Sequence, residues 1–163
     1  MDGMTATTDP RPTTTVYCDG GASPNPGAGG WGVLIEREGS EPFELAGGRA
    51  DTTNNQMELT AAIRALEYTT DDPHVVIHCD SKYVVQGVTE WVSGWRSRNW
   101  MTSSGAPVKN ADLWKRLVGR LEAHGGSVEW QWVRGHNGNA GNERADELAT
   151  AGREHAKENS DDC

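Results

Sequence analysis

The sequence predicts an α/β domain. Two short apolar runs, Thr13–Gly21 and His74–Asp80, carry an aspartate where each strand gives out, the edge at which an open sheet presents its ligand crevice. Between them, Gln56–Thr69 places Leu59, Ala62, Ile63 and Leu66 at helical spacing. Trp31–Glu36 and Pro42–Ala46 read as strands with Arg37–Glu41 as their turn, so an antiparallel hairpin is the simplest connection.

A chain of 163 residues supports one domain with a real core and is short for two. Residues 1–12 are polar, rich in Thr and Pro, and read as a disordered extension. Residues 13–151 read as the folded domain and 152–163 as a polar tail. No apolar run has membrane length and no secretory leader is evident, so a soluble, cytoplasmic protein is expected. Three cysteines without a C-x-x-C pair fit a reducing compartment. Cys18 and Cys79 each precede an aspartate on a strand, so they face away from it, into the core.

The net charge of −9 conceals an asymmetry. From Lys82 to Arg120 there are seven basic residues and two acidic ones, a segment of +5 in an acidic chain. That distribution suits one face for a polyanion and a solubilising remainder. Four lysines against eleven arginines fit either a saline host interior or a GC-rich genome.

In chain order, Val16-Tyr17-Cys18 has the β-branched and aromatic character of a strand, and Gly20-Gly21 breaks it. Ala22–Gly30 reads as a turn-rich loop; without a Gly-Lys-Ser/Thr ending it is not a Walker loop. Thr52–Asn55 offers helix caps, and Glu58 then falls in the first turn at the border of the buried face. A first-turn glutamate often only complements the helix dipole. The two Asp-ended strands that flank it turn the reading toward a carboxylate cluster. Ser81 caps a short helix to Val88. Glu90–Trp100 then interleaves Trp91, Trp95 and Trp100 with Arg96 and Arg98, which suits stacking on sugars or bases and pairing with phosphates. Core tryptophans with snorkelling arginines are the alternative. Ala111–His124 is an amphipathic helix and Val128–Val133 a last strand. Arg134–Asn142 is a Gly/Asn loop that carries His136, able to move protons near neutral pH. Asn142–Ala149 opens the final helix and contains Asp146.

If the two Asp-ended strands lie parallel and adjacent, Asp19 and Asp80 meet. Carboxylates that close repel, so one holds a proton unless a cation lies between them. The pair is therefore read as half of a divalent-metal site.

Five motifs resemble type 1 ribonuclease H of the bacterial kind. They are Tyr-Cys-Asp-Gly-Gly-Ala with Asn-Pro-Gly, Thr-Thr-Asn-Asn-Gln-Met-Glu-Leu, Cys-Asp-Ser-Lys-Tyr-Val, Pro-Val-Lys-Asn-Ala-Asp-Leu-Trp, and Trp-Val-Arg-Gly-His-Asn-Gly with Asn-Glu-Arg-Ala-Asp. The likeness runs from about Thr14 to about Ala151. It implies an RNase H-like α/β fold: a five-stranded mixed sheet, three strands antiparallel and two parallel, with helices on both faces. It implies endonucleolytic hydrolysis of the RNA strand of an RNA–DNA hybrid, leaving 5′-phosphate and 3′-hydroxyl ends. By the same resemblance Asp19, Glu58, Asp80 and Asp146 are the metal-binding carboxylates and His136 the loop histidine. Asn25, Asn54 and Asn55 match minor-groove contacts, and Thr53 and Asn110 a pocket for a DNA-strand phosphate. Trp91–Lys109, with Trp95, Arg96, Arg98 and Trp100, matches a basic substrate handle. Three positions depart from the pattern: the handle lacks a dense lysine run, Asp51 stands where some members place an arginine, and Lys82 where a glutamine is common.

Carboxylate oxygens suit Mg²⁺, with Mn²⁺ as a substitute. Two ions roughly 4 Å apart activate a water on one side and stabilise the departing 3′-oxygen on the other. The expected partner is the hybrid duplex, with no membrane, little sequence preference and a monomeric enzyme. The competing readings are another metal-dependent nuclease of the same fold and a non-catalytic hybrid-binding module.

Overall fold

The computed structural model describes residues 12–134 and 139–161, with side chains to 158. His136 and residues 1–11 therefore lie outside the described residues.

Five strands form one sheet in the order β3-β2-β1-β4-β5. The strands are β1 (Thr13–Ala22), β2 (Gly27–Arg37), β3 (Phe43–Thr52), β4 (His74–Cys79) and β5 (Ser127–Trp132). β1–β2 and β2–β3 pair antiparallel, whereas β1–β4 and β4–β5 pair parallel. The expected mixed sheet is borne out.

The helices are α1 (Asn54–Glu67), α2 (Lys82–Gln86), α3 (Val92–Ser97), α4 (Ala111–Ala123) and α5 (Ala140–Asp161). A π-helical turn at Gly87–Trp91 joins α2 to α3, so the Trp/Arg segment continues a helix. The main core lies between the sheet and α1 and α4. Val16, Cys18, Val33, Ile35, Val75, Ile77 and Cys79 meet Leu59, Ile63, Leu66, Trp114 and Leu117 there. The expected core thiols are 1% and 2% exposed. Trp114 is fully buried, with its indole N–H donated to the Tyr83 hydroxyl at 2.9 Å.

α5 covers the other face through small residues. A Cβ on Gly30 would sit 2.0 Å from the Ala149 carbonyl oxygen, and one on Gly32 would sit 2.5 Å from that of Ala145. Helix backbone thus rests directly on strand backbone, which only glycine permits.

Four expectations need correction. β1 does not stop at Asp19; it runs on to Ala22 because Asp19, Gly20 and Gly21 pair with Gly32, Trp31 and Gly30. Gly27–Gly30 is strand rather than loop: Gly29 and Gly30 pair with Ala22 and Gly21, and Gly30 makes part of the seat for α5. Thr53 caps α1, accepting from the Gln56 N–H at 3.2 Å, so Glu58 is the fifth helical residue and lies past the first turn. Residues 152–161 are not a structureless tail: α5 continues to Asp161. Gly152 packs on the Gly47 backbone, and Ala156 is 8% exposed. A docked helix propagates readily through Arg, Glu, Ala and Lys.

Candidate active site

Asp19 lies one residue past the last β1–β4 pair, Cys18↔Cys79. At that point β4 ends and β1 continues along β2. Asp80, the first residue after β4, therefore leaves its strand beside Asp19. The Asp80 carbonyl accepts from Trp132 Nε1 at 3.3 Å, so β5 holds the turn.

Two helices converge on this point from opposite faces. On one, a Cβ on Gly20 would meet the Met57 carbonyl carbon and oxygen at 2.4 Å; α1 is thus seated against β1 where Glu58 emerges. On the other, Gly32, the partner of Asp19 across β1–β2, seats α5 at Ala145, beside Asp146. Asp19, Glu58, Asp80 and Asp146 all line one hollow of about 240 Å³. Among the described residues no three His, Cys, Asp or Glu side chains close on a single point; the four carboxylates ring the hollow instead.

Their environment resists negative charge. Burial, then the Asp80 and Asp146 carboxylates, push the Asp19 carboxyl from 3.8 up to about 8, although the Gly20 N–H donates to Oδ1 at 2.9 Å. Burial pushes Glu58 up to about 7, against the hydrogen bond that Ser81 Oγ donates to Oε1 at 2.9 Å. Ser81 also caps α2, accepting from the Val84 N–H. Hard oxygen donors whose charge is opposed by burial and by one another are the set that a small divalent cation suits.

The predicted substrate contacts fall in two groups. The Asn54 side chain accepts from the Ala22 N–H at 2.7 Å, and the Asn25 side chain accepts from the Asn54 N–H at 3.0 Å. Those bonds tie the β1–β2 turn to the start of α1, with Asn55 next in the helix. Asn110, at φ 61°, precedes α4; its Oδ1 accepts from Gln56 Nε2 at 3.4 Å and its Nδ2 donates to Tyr83 at 3.3 Å. The tryptophans are partly structural. Trp91, Trp95 and Trp100 form a chain of ring contacts that reaches buried Trp114, and Trp95 and Trp100 pack against the core. Arg96 pairs with Glu122 at 2.8 Å, and Arg98 Nε donates to the Met101 carbonyl at 3.2 Å.

Two side chains at the hollow escaped sequence reasoning. Ser81 was legible as a cap but not as the partner of Glu58. Arg153, the single basic side chain lining the hollow among the described residues, sits in the segment read as tail.

A family model described as RNase H matches residues 11–154. The chain belongs to the RNase H family. It is 52% identical over 141 residues to a Ribonuclease H of Polaromonas naphthalenivorans, covering 86% of this chain and 87% of that protein. Among solved structures it resembles LC9-RNase H1, a type 1 RNase H with the type 2 active-site motif, at 35% identity and a TM-score of 0.76, over 92% of this chain and 76% of that one. It also resembles LC11-RNase H1, solved in complex with RNA/DNA hybrid, at 25% identity and a TM-score of 0.68, over 88% of this chain and 98% of that one. RNase H enzymes are metal-dependent in general. No described helix is long and apolar enough to cross a membrane.

Proposed function

We propose that this chain hydrolyses the RNA strand of RNA–DNA hybrids, as a cytoplasmic monomer, leaving 5′-phosphate and 3′-hydroxyl ends. The observation that carries the reading is the meeting of Asp19, Glu58, Asp80 and Asp146 around one hollow at the sheet edge, in a chain of this family.

The four carboxylates would hold Mg²⁺, two ions during turnover, with Mn²⁺ as a substitute. When bound, the ions supply the positive charge that acidifies the attacking water and offsets charge on the departing 3′-oxygen. Ser81 orients Glu58 and keeps it ionisable, and the Gly20 N–H does the same for Asp19. His136 carries a proton or assists product departure. Asn25, Asn54 and Asn55 read the 2′-hydroxyl, which a donor-and-acceptor amide does without reading bases. Thr53 and Asn110 take a DNA-strand phosphate. The Trp91–Lys109 handle, with Trp95, Arg96, Arg98 and Trp100, lies along the same strand. Phosphate contacts position the duplex and carry no base information, so sequence preference is weak.

The test offers the protein an RNA–DNA hybrid, an RNA duplex, a DNA duplex and single-stranded RNA with Mg²⁺. Cleavage confined to the RNA of the hybrid supports the assignment. Equal cleavage of duplex DNA would make it a different nuclease of this fold. Binding without turnover in both Mg²⁺ and Mn²⁺ would make it a binding module.

A further inference from the structure

A second and larger hollow, of about 650 Å³, opens between β2, β3, α1 and the start of α4. Its lining is basic in an acidic protein: Arg49 from β3, Arg64 from α1 and Arg116 from α4, against the single carboxylate of Asp112. Arg64 lies with Cζ 5.8 Å from the centre of the Trp31 ring, and Trp31 lines the same hollow. Glu67 holds both inner arginines, accepting from Arg64 Nη1 at 2.8 Å and lying 3.8 Å from Arg116 Nη2. That leaves donors unspent. Arg64 Nε is buried and has no acceptor among the described residues. The Asn110 side chain makes no cap bond to α4, whose first residues, Ala111–Leu113, line this hollow.

A buried N–H without an acceptor is costly, and the one carboxylate of Glu67, shared by Arg64 and Arg116, offsets only part of the charge of three guanidinia. An anion with several oxygens answers both needs, and the planar fork of arginine fits a phosphate. Gln56 and Asn110 also line this hollow, and they are bonded to each other beside the helix cap Thr53. The basic hollow is therefore continuous with the place assigned above to one DNA-strand phosphate.

We propose that this hollow takes further backbone phosphates of the DNA strand, with Arg49, Arg64 and Arg116 as their ligands. The inference rests on the hybrid reading and extends it. Affinity here depends on salt and duplex length and not on sequence. It also supplements a handle with few lysines, one of whose arginines is spent on Glu122.

The experiment measures hybrid binding by fluorescence anisotropy across a KCl series, with the whole chain carrying Asp19→Asn to prevent turnover. Arg64→Gln and Arg116→Gln should each weaken binding about 3- to 10-fold and lower the slope of log Kd against log salt by about one. Arg64→Lys should keep the slope, since it keeps the charge. With Asp19 restored, the Gln variants should raise KM and leave kcat within about two-fold, which separates ground-state binding from chemistry. If the parent protein cleaves hybrids while both Gln variants keep its Kd and slope, the hollow is not a strand site and the hybrid reading stands. If the parent protein does not cleave hybrids, the hybrid reading fails first. If inorganic pyrophosphate raises the melting temperature of the parent but not of Arg64→Gln, and hybrid binding is unchanged, the hollow serves a free anion and the strand assignment is overturned.

Discussion

Replacing Asp19 by Asn is expected to stabilise the metal-free protein while abolishing its activity. The folded protein holds this carboxyl at about 8 against an ordinary 3.8, so folding at pH 8 opposes its ionisation. Four pH units at about 1.36 kcal/mol each set an upper limit of about 6 kcal/mol. Part of that is repulsion shared with Asp80 and Asp146, which either neighbour relieves by taking a proton, and about 2–4 kcal/mol remains. Asn keeps an acceptor for the Gly20 N–H and gains a donor for Asp146. Between pH 3.8 and about 8 the folded state binds more protons at Asp19 than the unfolded state, so stability falls as pH rises through that window. The variant lacks this loss. Its advantage should be greatest at pH 8 and small near pH 4. Thermal melts in EDTA at pH 5, 6.5 and 8 read it directly: roughly 6–12 °C at pH 8 and progressively less below. Added Mg²⁺ should raise the melting temperature of the parent and leave the variant nearly unmoved. A variant that melts no higher than the parent at pH 8, or gains equally at pH 5, would refute the electrostatic reasoning.

Ser81→Ala removes the α2 cap and the hydroxyl bonded to Glu58; it should cost about 1–2 kcal/mol in urea unfolding. Gly152→Ala places a methyl 2.0 Å from the Gly47 carbonyl oxygen, and a loss of about 2–3 kcal/mol in the same assay would show that α5 past residue 151 belongs to the domain. Arg153→Gln removes the basic group from the acidic hollow. Steady-state kinetics on a hybrid should give a KM about 3- to 10-fold higher with kcat within about two-fold, as expected of a phosphate contact made in ground and transition states alike.

The strands and helices are legible where periodicity is strong: β4, α1 and α4 follow from apolar spacing, whereas the parallel pairing of the two Asp-ended strands enters the sequence reading only as a condition and is seen in the β1–β4 register. The glycine-rich stretch Gly27–Gly30 was read as loop because composition alone cannot tell a turn from a strand whose side chains are missing to admit a helix. The same blindness cut α5 short. Residues past Ala151 carry no apolar stripe, and what docks them is Gly152 against Gly47, a backbone contact without a hydrophobic signature. The aromatic and cationic interleaving points Trp95 and Trp100 toward substrate; in the structure Trp95 meets the Trp114 ring from a helix that has run through a π-turn, a register that ideal helical spacing does not reproduce, and Trp100, past the helix end, packs on Trp95. Arg49, Arg64 and Arg116 lie far apart in the chain, so their gathering needed the tertiary structure.

The acidic hollow is assembled by backbone resting on backbone. Gly20, next to Asp19 in the chain, admits α1 and so brings Glu58; Gly32, opposite Asp19 in the sheet, admits α5 and so brings Asp146. Side-chain packing yields to substitution because rotamers readjust, whereas a carbonyl held in a sheet or helix has no rotamer to change. The spacing of the carboxylates is thus fixed by elements that cannot relax, against the burial and, after it, the mutual repulsion that lift Asp19 to about 8 and Glu58 to about 7. A site held by flexible side chains would spread under that repulsion. One clamped between two glycine-seated helices keeps its carboxylates close and answers the unfavourable proximity by holding protons, which a cation then displaces without any backbone having to move.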